Sequence, residues 1–420
     1  FYTYDPDQCI LCGRCVDACQ NVEVNETLSI DYTMEHPRVL WDGGTQIAGS
    51  SCVSCGHCVT VCPCNALMEK SVQPDAGPFT SMRQSLKRPL IDIIKTLENS
   101  TGAEIISGVS VIDTHLRQQE IKRTKTVCTY CGVGCSFEMW TRDRHLLKVQ
   151  PSVEAPVNSI STCVKGKFAW DFINSPERIT TPLIRENGRF RPASWDEALD
   201  LVATRLLSIR DNFGAESIGF IGSSKGSNEE AYLTQKIARA IIGTNSVDNS
   251  SRYCQNPATE GLFRTVGYGG DAGTIEDLIK ADLVIIVGSN TAENHPVIAS
   301  RLKAAKKHHG QQWLVVDPRR HEMAGRADLH LRIHPGSDLA WASAMSRYMF
   351  DNGYADETFL AGRVNKVEEY RQSLAPFTLD FAAEQTGLSP ELLTRAAEMI
   401  GKAGRVCIMW AMGITQHSHG

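Results

Sequence analysis

The sequence predicts an α/β protein built on a doubly wound parallel sheet. Two continuous apolar runs, residues 283–287 and 313–316, are typical of parallel strands that are covered on both faces. Helix-like stretches at residues 296–307 and 337–350 alternate with them, which indicates strands joined by crossover helices. The chain before residue 165 differs, because it holds most of the cysteines in closely spaced groups. That part predicts smaller modules ahead of the sheet.

Composition narrows the class of function. The chain has 420 residues, 42% hydrophobic and 22% charged, which is typical of a globular protein of two to four domains. A net charge of −5 argues against a nucleic-acid binder that neutralises phosphates. No run reaches the roughly 18 apolar residues that span a bilayer, and no signal peptide is visible. Most of the fifteen cysteines follow metal-ligand spacings, which favours a reducing, cytoplasmic location.

One cysteine motif, C-x2-C-x2-C-x3-C, occurs twice in the first seventy residues. This repeat is typical of a two-cluster ferredoxin, in which the fourth cysteine of each copy binds the other cluster. The prediction is one [4Fe–4S] cluster on Cys9, Cys12, Cys15 and Cys62, and a second on Cys52, Cys55, Cys58 and Cys19. Structural zinc is the alternative, but zinc sites use two close cysteine pairs separated by a longer gap. The surplus Cys64 is expected to be a buried thiol near the second cluster.

A third group combines C-x2-C-x3-C with a distant fourth cysteine. Its predicted ligands are Cys128, Cys131, Cys135 and Cys163. The β-like residues 136–140 and 146–150 between them indicate a small β subdomain that holds a third [4Fe–4S] cluster, and zinc is a stronger competitor here. Lys165 follows the last ligand. It either balances the charge of the cluster in solvent, or bridges the cluster and a second, anionic cofactor.

Three short polar segments follow predicted strands of the sheet, at residues 288–290, 317–319 and 334–338. Ligands of parallel sheets bind at the carboxyl ends of strands. Small residues there admit a phosphate, an acid can bind a ribose or a guanine, and Arg319 can pair with pyrophosphate. Ordinary turns are the alternative for each segment. No G-x-G-x-x-G follows a strand, which argues against an NAD site.

Earlier in this body, residues 217–222 predict a buried strand, and residues 228–242 predict a helix with Asn228 as its N-cap. Cys254 stands apart from every other cysteine. Its thiolate would be a soft ligand suited to molybdenum or tungsten. Asn256 and Pro257 read as the N-cap and first residue of a helix whose N-terminus favours the thiolate. A buried free cysteine is the alternative, as expected for Cys407.

In combination, these motifs resemble the large subunit of the molybdopterin oxidoreductase family. The resemblance rests on four motifs: the third cysteine group with its Cys-Val-Lys-Gly end, Gly222-Ser223-Ser224-Lys225, the lone Cys254, and Gly288-Ser289-Asn290. With a ferredoxin-type module ahead, the chain most resembles the formate dehydrogenase alpha subunit. The resemblance implies bis-molybdopterin guanine dinucleotide carrying Mo or W, with Cys254 as metal ligand and Lys165 between cluster and pterin. Implied cofactor contacts are Ser224, Lys225, Gly288, Ser289, Asn290, Asp317, Arg319, Gly336, Asp338, Met412, Gly413 and Gln416.

The resemblance implies oxidation of formate to carbon dioxide, or the reverse, with electrons leaving through three clusters to a partner subunit or carrier. In formate dehydrogenases histidine usually follows the metal-binding cysteine, whereas Gln255 stands here. Glutamine can hydrogen-bond but does not titrate near neutral pH. The arginine that anchors formate is expected beyond Gly420. Nitrate reduction by the same fold is one alternative, and a relay similar to the large iron–sulfur subunit of complex I is another.

The predicted organisation has four parts. Residues 1–70 form a two-cluster ferredoxin-like α+β module, 71–125 a connector with a short helix at 90–97, and 126–185 the small β-type [4Fe–4S] subdomain. Residues 186–420 form the α/β body that binds the molybdopterin dinucleotide. The chain lacks an initiator Met and ends just after an apparent strand, so we expect further chain at both ends, and partner subunits in a larger complex.

Overall fold

A computed structural model describes residues 1–71 and 121–417. The predicted helix at 90–97 lies outside these ranges. The strands are β1 (Tyr2–Tyr4), β2 (Leu28–Asp31), β3 (Arg38–Trp41), β4 (Leu67–Glu69), β5 (Lys122–Val127), β6 (Ser136–Arg142), β7 (His145–Pro151), β8 (Leu183–Glu186), β9 (Arg189–Pro192), β10 (Phe220–Gly222), β11 (Val247–Asn249), β12 (Leu283–Val287), β13 (Gln312–Val316), β14 (Leu329–Leu331) and β15 (Val406–Trp410).

The helices are α1 (Arg14–Asp17), α2 (His57–Val61), α3 (Val164–Phe168), α4 (Trp195–Phe213), α5 (Asn228–Lys236), α6 (Asn256–Val266), α7 (Ile275–Lys280), α8 (Thr291–Asn294), α9 (Pro296–His309), α10 (Glu322–Arg326), α11 (Asp338–Asp351), α12 (Glu357–Arg363), α13 (Val367–Ser373), α14 (Leu379–Thr386), α15 (Pro390–Lys402) and α16 (Met412–Thr415). They divide between two compact units. The first unit spans residues 1–178 and 291–309, and the second spans 179–290 and 310–420.

In the first unit, both cysteine repeats open short helices in the same way. α1 follows Gly13 and α2 follows Gly56, and each glycine has a positive φ, 73° and 80°. Glycine adopts this conformation without steric cost. Around the helices, β1 pairs antiparallel with β4, and β2 with β3. The resulting core contains Tyr2, Trp41 and Phe168, and Phe168 comes from α3 beyond Cys163.

The rest of the first unit is a three-stranded antiparallel sheet, in the order β5-β6-β7. β6 and β7 confirm the strands predicted at 136–140 and 146–150. The loop after β7 leads to Cys163 and α3. Because Phe168 stacks on Phe1 with ring centroids 5.0 Å apart, the segment that carries Cys163 packs into the same core as the cysteine repeats.

The second unit contains a four-stranded parallel sheet in the order β14-β13-β12-β15. Every residue of β12 is buried, and its side chains pack with those of α11, α14 and α15. The predicted strands at 283–287 and 313–316 and the helices at 296–307 and 337–350 are confirmed. The structure is a mixed α/β chain whose parallel strands follow the cysteine-rich modules in sequence, which agrees with the predicted fold class. The doubly wound arrangement and the four domain boundaries stay predictions.

Three local predictions in the second unit were wrong. The strand expected at 217–222 is only β10, and it is not buried, because Ile221 is 87% exposed. The N-cap of α5 is Ser227 rather than Asn228. Ser227 Oγ accepts from the backbone of Glu230, whose carboxylate accepts from the Ser227 amide, so Ser-x-x-Glu forms a capping box one residue earlier. Cys407 is half-buried on β15 rather than buried.

Candidate functional site

The first unit brings the predicted thiols together in the predicted combinations. Cys9, Cys12, Cys15 and Cys62 line one cavity, although 46 residues of chain lie between Cys15 and Cys62. Cys19, Cys52, Cys55 and Cys58 line a second. Each cavity therefore takes three cysteines from one repeat and the fourth from the other, as two-cluster ferredoxins do. That these thiols bind clusters stays a prediction.

The electrostatics of these thiols fit an iron–sulfur cluster. Burial, followed by the charge of Cys9, raises the pKa of Cys15 to about 12. Burial likewise raises the pKa of Cys55 and Cys58, with neighbouring Glu23 and Cys52 adding to the effect. Thiols set so closely in a partly dry space would keep their protons, whereas a bound metal displaces them and supplies the compensating charge.

Cys64 does not lie where the sequence placed it. It is half-buried and lines the cavity of Cys9, beside Cys62 with 3.8 Å between the two sulfur atoms. The expectation of a buried thiol near the second cluster was therefore wrong. The reason is the crossed ligand pattern, which directs the end of the second repeat towards the first cavity.

A buried polar network surrounds the second cavity, and the sequence did not reveal it. His57, which is 1% exposed, accepts a 2.8 Å hydrogen bond at Nε2 from the Thr162 amide. Its Nδ1 lies 3.7 Å from a carboxylate oxygen of Glu23. Burial, then the charges of Lys167 and Lys303, lower the pKa of His57 to about 4, so the ring is neutral at neutral pH.

A buried ion pair lies in the same region. Lys167 Nζ is 2.7 Å from Glu69 Oε1, with both side chains at most 2% exposed, and it donates to Val149 O at 2.9 Å and to Gln150 Oε1 at 2.8 Å. The lysine stem packs on Gly56, where an added Cβ would come within 2.7 Å of Lys167 Cγ. Glycine is therefore needed at 56 for space as well as for its φ.

The third cysteine group also closes on one cavity. Cys128, Cys131, Cys135 and Cys163 line it together with Lys165. Burial, followed by the charges of Cys128 and Cys131, raises the pKa of Cys135 to about 12. Lys165 Nζ donates a 2.9 Å hydrogen bond to Glu293 O in α8. The lysine therefore lies beside the candidate cluster site rather than free in solvent, and its role towards a second cofactor stays a prediction.

In the second unit, the end of β12 meets the segment around α16. Gly288 has a φ of 54°, and a Cβ there would lie 2.7 Å from Gly413 Cα. The Gly413 amide donates to Gly288 O at 3.0 Å. Met412 starts α16, and Ser289 and Asn290 follow Gly288 and are buried. Only glycine at both positions permits this close approach of the two backbones, and a phosphate contact at these strand ends stays a prediction.

The neighbouring strand ends carry the predicted acids. Asp317 Oδ1 accepts from the Arg319 amide at 2.8 Å, and Oδ2 lies 3.6 Å from His321 Nε2. Burial alone would raise the pKa of Asp317, but His321 and Arg319 lower it overall. Burial raises the pKa of Asp338. Asp338 and Gly336 both lie near His417, a residue without any sequence signal.

Cys254 lies at a break between two helical segments. It follows a 3-10 turn, Ser250–Tyr253, and its carbonyl accepts a 2.7 Å hydrogen bond from Thr415 Oγ1. The next residue of that segment, Gln416, donates to Tyr253 O. The predicted cofactor-contact residues around Met412 therefore lie close to Cys254. Ser224 also lies in this region, because its amide donates to Ser250 Oγ at 3.2 Å, and Lys225 follows it.

The helix after Cys254 begins one residue earlier than predicted. Gln255 is the N-cap of α6, Asn256 is its first residue and Pro257 its second. Gln255 makes no side-chain cap hydrogen bond. The prediction followed the usual preference for asparagine at the cap, but proline also fits the second position, because the N–H that proline lacks would have no partner within the first turn. Cys254 therefore directly precedes the helix N-cap, half-buried.

Cysteine cavities of this kind, ahead of a parallel sheet with polar strand ends, define a cofactor-dependent oxidoreductase. The chain belongs to the molybdopterin oxidoreductase family, whose sequence pattern matches residues 178–420. The Fe4S4 domain of molybdopterin oxidoreductases matches residues 121–175, and a 4Fe-4S dicluster domain matches residues 8–66. The family and these domains bind a molybdenum–pterin cofactor and iron–sulfur clusters.

Relatives match the chain over all of its 420 residues. It is 58% identical to "Probable oxidoreductase YjgC" of Bacillus subtilis (strain 168) and 57% identical to "Putative formate dehydrogenase YrhE" of the same strain. It is 54% identical to "Putative formate dehydrogenase SH0748" of Staphylococcus haemolyticus (strain JCSC1435). The chain spans 42–43% of the length of these relatives.

Among solved structures, the acetylene hydratase of Pelobacter acetylenicus is similar to this chain with a TM-score of 0.59 and 25% sequence identity. The similarity covers 70% of this chain and 40% of the hydratase. Within residues 1–71 and 121–417, no helix combines the length and apolar character needed to cross a membrane.

Proposed function

We propose that the protein containing this chain oxidises formate to carbon dioxide, or runs the reverse reaction, and passes the electrons through three [4Fe–4S] clusters to a partner subunit or carrier. The observation that carries the proposal is the grouping of twelve cysteines into three cavities ahead of a separate Cys254. The names of the relatives support formate as the substrate.

Cys254 is the residue we assign as protein ligand of the metal, Mo or W, because it is half-buried and its backbone is held by Thr415. Bis-molybdopterin guanine dinucleotide is the pterin form that we assign to the strand ends. When bound, the metal–pterin centre supplies two-electron oxidation and reduction. The residues assigned to it are Ser224, Lys225, Gly288, Ser289, Asn290, Asp317, Arg319, Gly336, Asp338, Met412, Gly413 and Gln416.

The residues around Cys254 can orient an anionic substrate. The first amides of α6 have no partner within the helix, and the helix N-terminus carries partial positive charge, so it attracts a carboxylate such as formate. Gln255 can donate or accept a hydrogen bond there but cannot take up a proton. Lys165 donates a hydrogen bond to Glu293 O and lies beside the third cysteine cavity. Its positive charge stabilises the extra negative charge that a cluster at that site gains on reduction.

The test uses the full-length protein, with metal content measured on the same sample as turnover. We expect molybdenum or tungsten together with iron, and formate-dependent reduction of a dye. No dye reduction by protein with full metal occupancy would refute formate oxidation. Nitrate in the same assay tests the alternative within the family, because a nitrate reductase would oxidise the reduced dye with nitrate and ignore formate.

A non-catalytic relay is the remaining alternative, and the family match over residues 178–420 together with Cys254 argues against it. Iron without molybdenum or tungsten in the purified protein would support the relay. The four-part domain organisation belongs to the same proposal, as does a cytoplasmic complex with partner subunits. Cysteines in metal-ligand spacing support the reducing location.

A further inference from the structure

Two hydrogen bonds connect the ligand loop of the second cysteine cavity with that of the third. Thr162 Oγ1 donates to Cys55 O at 2.5 Å, and the Thr162 amide donates to His57 Nε2 at 2.8 Å. Cys55 lines the second cavity, and Thr162 immediately precedes Cys163, which lines the third. We propose that Thr162 and His57 are positioning residues that hold these two cluster sites as neighbours. This proposal rests on the proposed function.

The connection is built into the core of the first unit rather than placed on its surface. Thr162 and His57 are each 1% exposed. His57 Nε2 accepts from the Thr162 backbone amide, and its Nδ1 lies 3.7 Å from a carboxylate oxygen of Glu23. A buried amide left without its acceptor destabilises the fold, so the bond from the Thr162 amide constrains both loops.

Flanking contacts hold the same two loops together. Four residues after Cys163, Lys167 packs its stem on Gly56, between Cys55 and His57. Its ammonium group is held by Glu69 at 2.7 Å. Thr162, immediately before Cys163, and Lys167, four residues after it, therefore both contact the loop that carries Cys55. Such a doubly held loop keeps its position when one side chain changes conformation.

The first cavity lacks these contacts among the described residues. It is lined by Cys9, Cys12, Cys15 and Cys62, and Cys12 and Ile10 at its edge are exposed, Ile10 by 64%. The order that follows is third site, second site, first site, with the first nearest to solvent. With clusters bound at both sites, one electron would leave the third site as one enters the second, so that each site would change by one charge and no bond would break. Formate is the electron donor and the partner is the acceptor.

Thr162→Val in the full-length protein tests the connection. Valine keeps the backbone amide and the shape of threonine but removes the hydroxyl that donates to Cys55 O. Thr162→Ser keeps a hydroxyl and serves as the conservative variant. Thr60→Val is the matched control, because Thr60 Oγ1 donates to Gly56 O at 3.1 Å on the same loop and to Gln150 Oε1 at 3.4 Å, and neither acceptor belongs to the Cys163 segment.

The readout is the magnetic interaction between reduced clusters, measured by EPR after reduction with dithionite, with iron content determined on each sample. We expect the wild type, Thr162→Ser and Thr60→Val to show spin–spin splitting of the third-site signal. Thr162→Val should lose or narrow that splitting at unchanged iron content. Unchanged splitting in Thr162→Val with full iron would overturn the proposal.

Two ligand variants decide the order of sites even where Thr162→Val does not retain iron. Cys12→Ser alters the first site and should leave the third-site splitting in place. Cys52→Ser alters the second site and should abolish it. The opposite pattern would overturn the assignment. Dithionite replaces formate in every measurement, so absence of formate turnover with intact splitting would refute only the proposed substrate.

Discussion

The cysteine cavities of the first unit and the region around Cys254 in the second unit hold their functional groups by different means. In the first unit the thiols are fixed by a packed core, a buried ion pair and a buried histidine. In the second, Cys254 is held through its backbone carbonyl by Thr415, and neighbouring Tyr253 is 75% exposed. The described contacts thus anchor the cysteine loops of the first unit through buried side chains, whereas Cys254 is half-buried and held through its backbone.

This difference agrees with two kinds of chemistry. Electron transfer needs sites that keep their spacing, and buried hydrogen bonds and ion pairs help to provide such rigidity. A metal centre that exchanges substrate needs an open coordination position and approach to it. Substitutions should therefore separate the two regions, with loss of stability in the first unit and loss of turnover in the second.

The largest expected effect is at Cys254. Cys254→Ala in the full-length protein should abolish formate-dependent dye reduction, because it removes the proposed metal ligand. Iron content and the EPR signals of all clusters should match the wild type, since Cys254 lies in the second unit and lines none of the three cysteine cavities described above. Loss of the cluster signals in this variant would mean that the cysteine is structural.

The next largest effect is at the buried ion pair. Lys167→Met should lower the free energy of unfolding by about 3–5 kcal/mol, because it leaves Glu69 buried and uncompensated. The loss of iron–sulfur absorbance in a denaturant titration measures this. The double variant Lys167→Met/Glu69→Leu should recover most of the stability. If both variants unfold at the wild-type midpoint, the pair does not constrain the first unit.

The two repeats offer a smaller, internally matched effect. Gly13→Ala and Gly56→Ala should each cost about 1–2 kcal/mol, because both glycines have positive φ. Gly56→Ala should cost about 1–3 kcal/mol more, because its Cβ would meet the Lys167 stem, whereas nothing lies within 4 Å of a Cβ at Gly13. The same absorbance titration compares the two variants. Equal unfolding midpoints would show that the Lys167 side chain moves aside for the added methyl group.

The smallest effect should be at the exposed ion pairs of the second unit. Arg191 lies 2.7 Å from Glu186 and also pairs with Glu197, but solvent reaches all three side chains. Solvent screens such pairs. Arg191→Met should therefore leave the thermal midpoint and the turnover unchanged. A drop as large as that of Lys167→Met would remove the contrast between buried and exposed pairs.

Much of the site was predictable where a ligand set repeats in the sequence. The spacing of Cys9 to Cys19 and of Cys52 to Cys62 predicted the crossed combinations that line two cavities. The sheet was predictable for a similar reason, since β12 is apolar throughout and buried throughout. Both patterns are local, so a short stretch of sequence contains the whole signal.

Boundaries and caps were less predictable. The caps at Ser227 and Gln255 differ by one residue from the predicted ones, because neighbouring residues compete for the same cap and the final geometry selects one. The position of Cys64 depended on which cavity the end of the second cysteine repeat lines. His417 near Asp338 had no signal, because its partner is contributed by a distant segment.

The sequence by itself determined the family, the twelve cysteines in three groups, the lone Cys254 and the central strands, because spacing and apolar runs are properties of consecutive residues. Only the tertiary structure decided that His57 and Thr162 join two ligand loops, that Lys167 pairs with Glu69, and that Gly288 meets Gly413. The physical reason is that each of these contacts joins segments between 98 and 125 positions apart, so the contacts exist only when the chain has folded and no short stretch of sequence contains them.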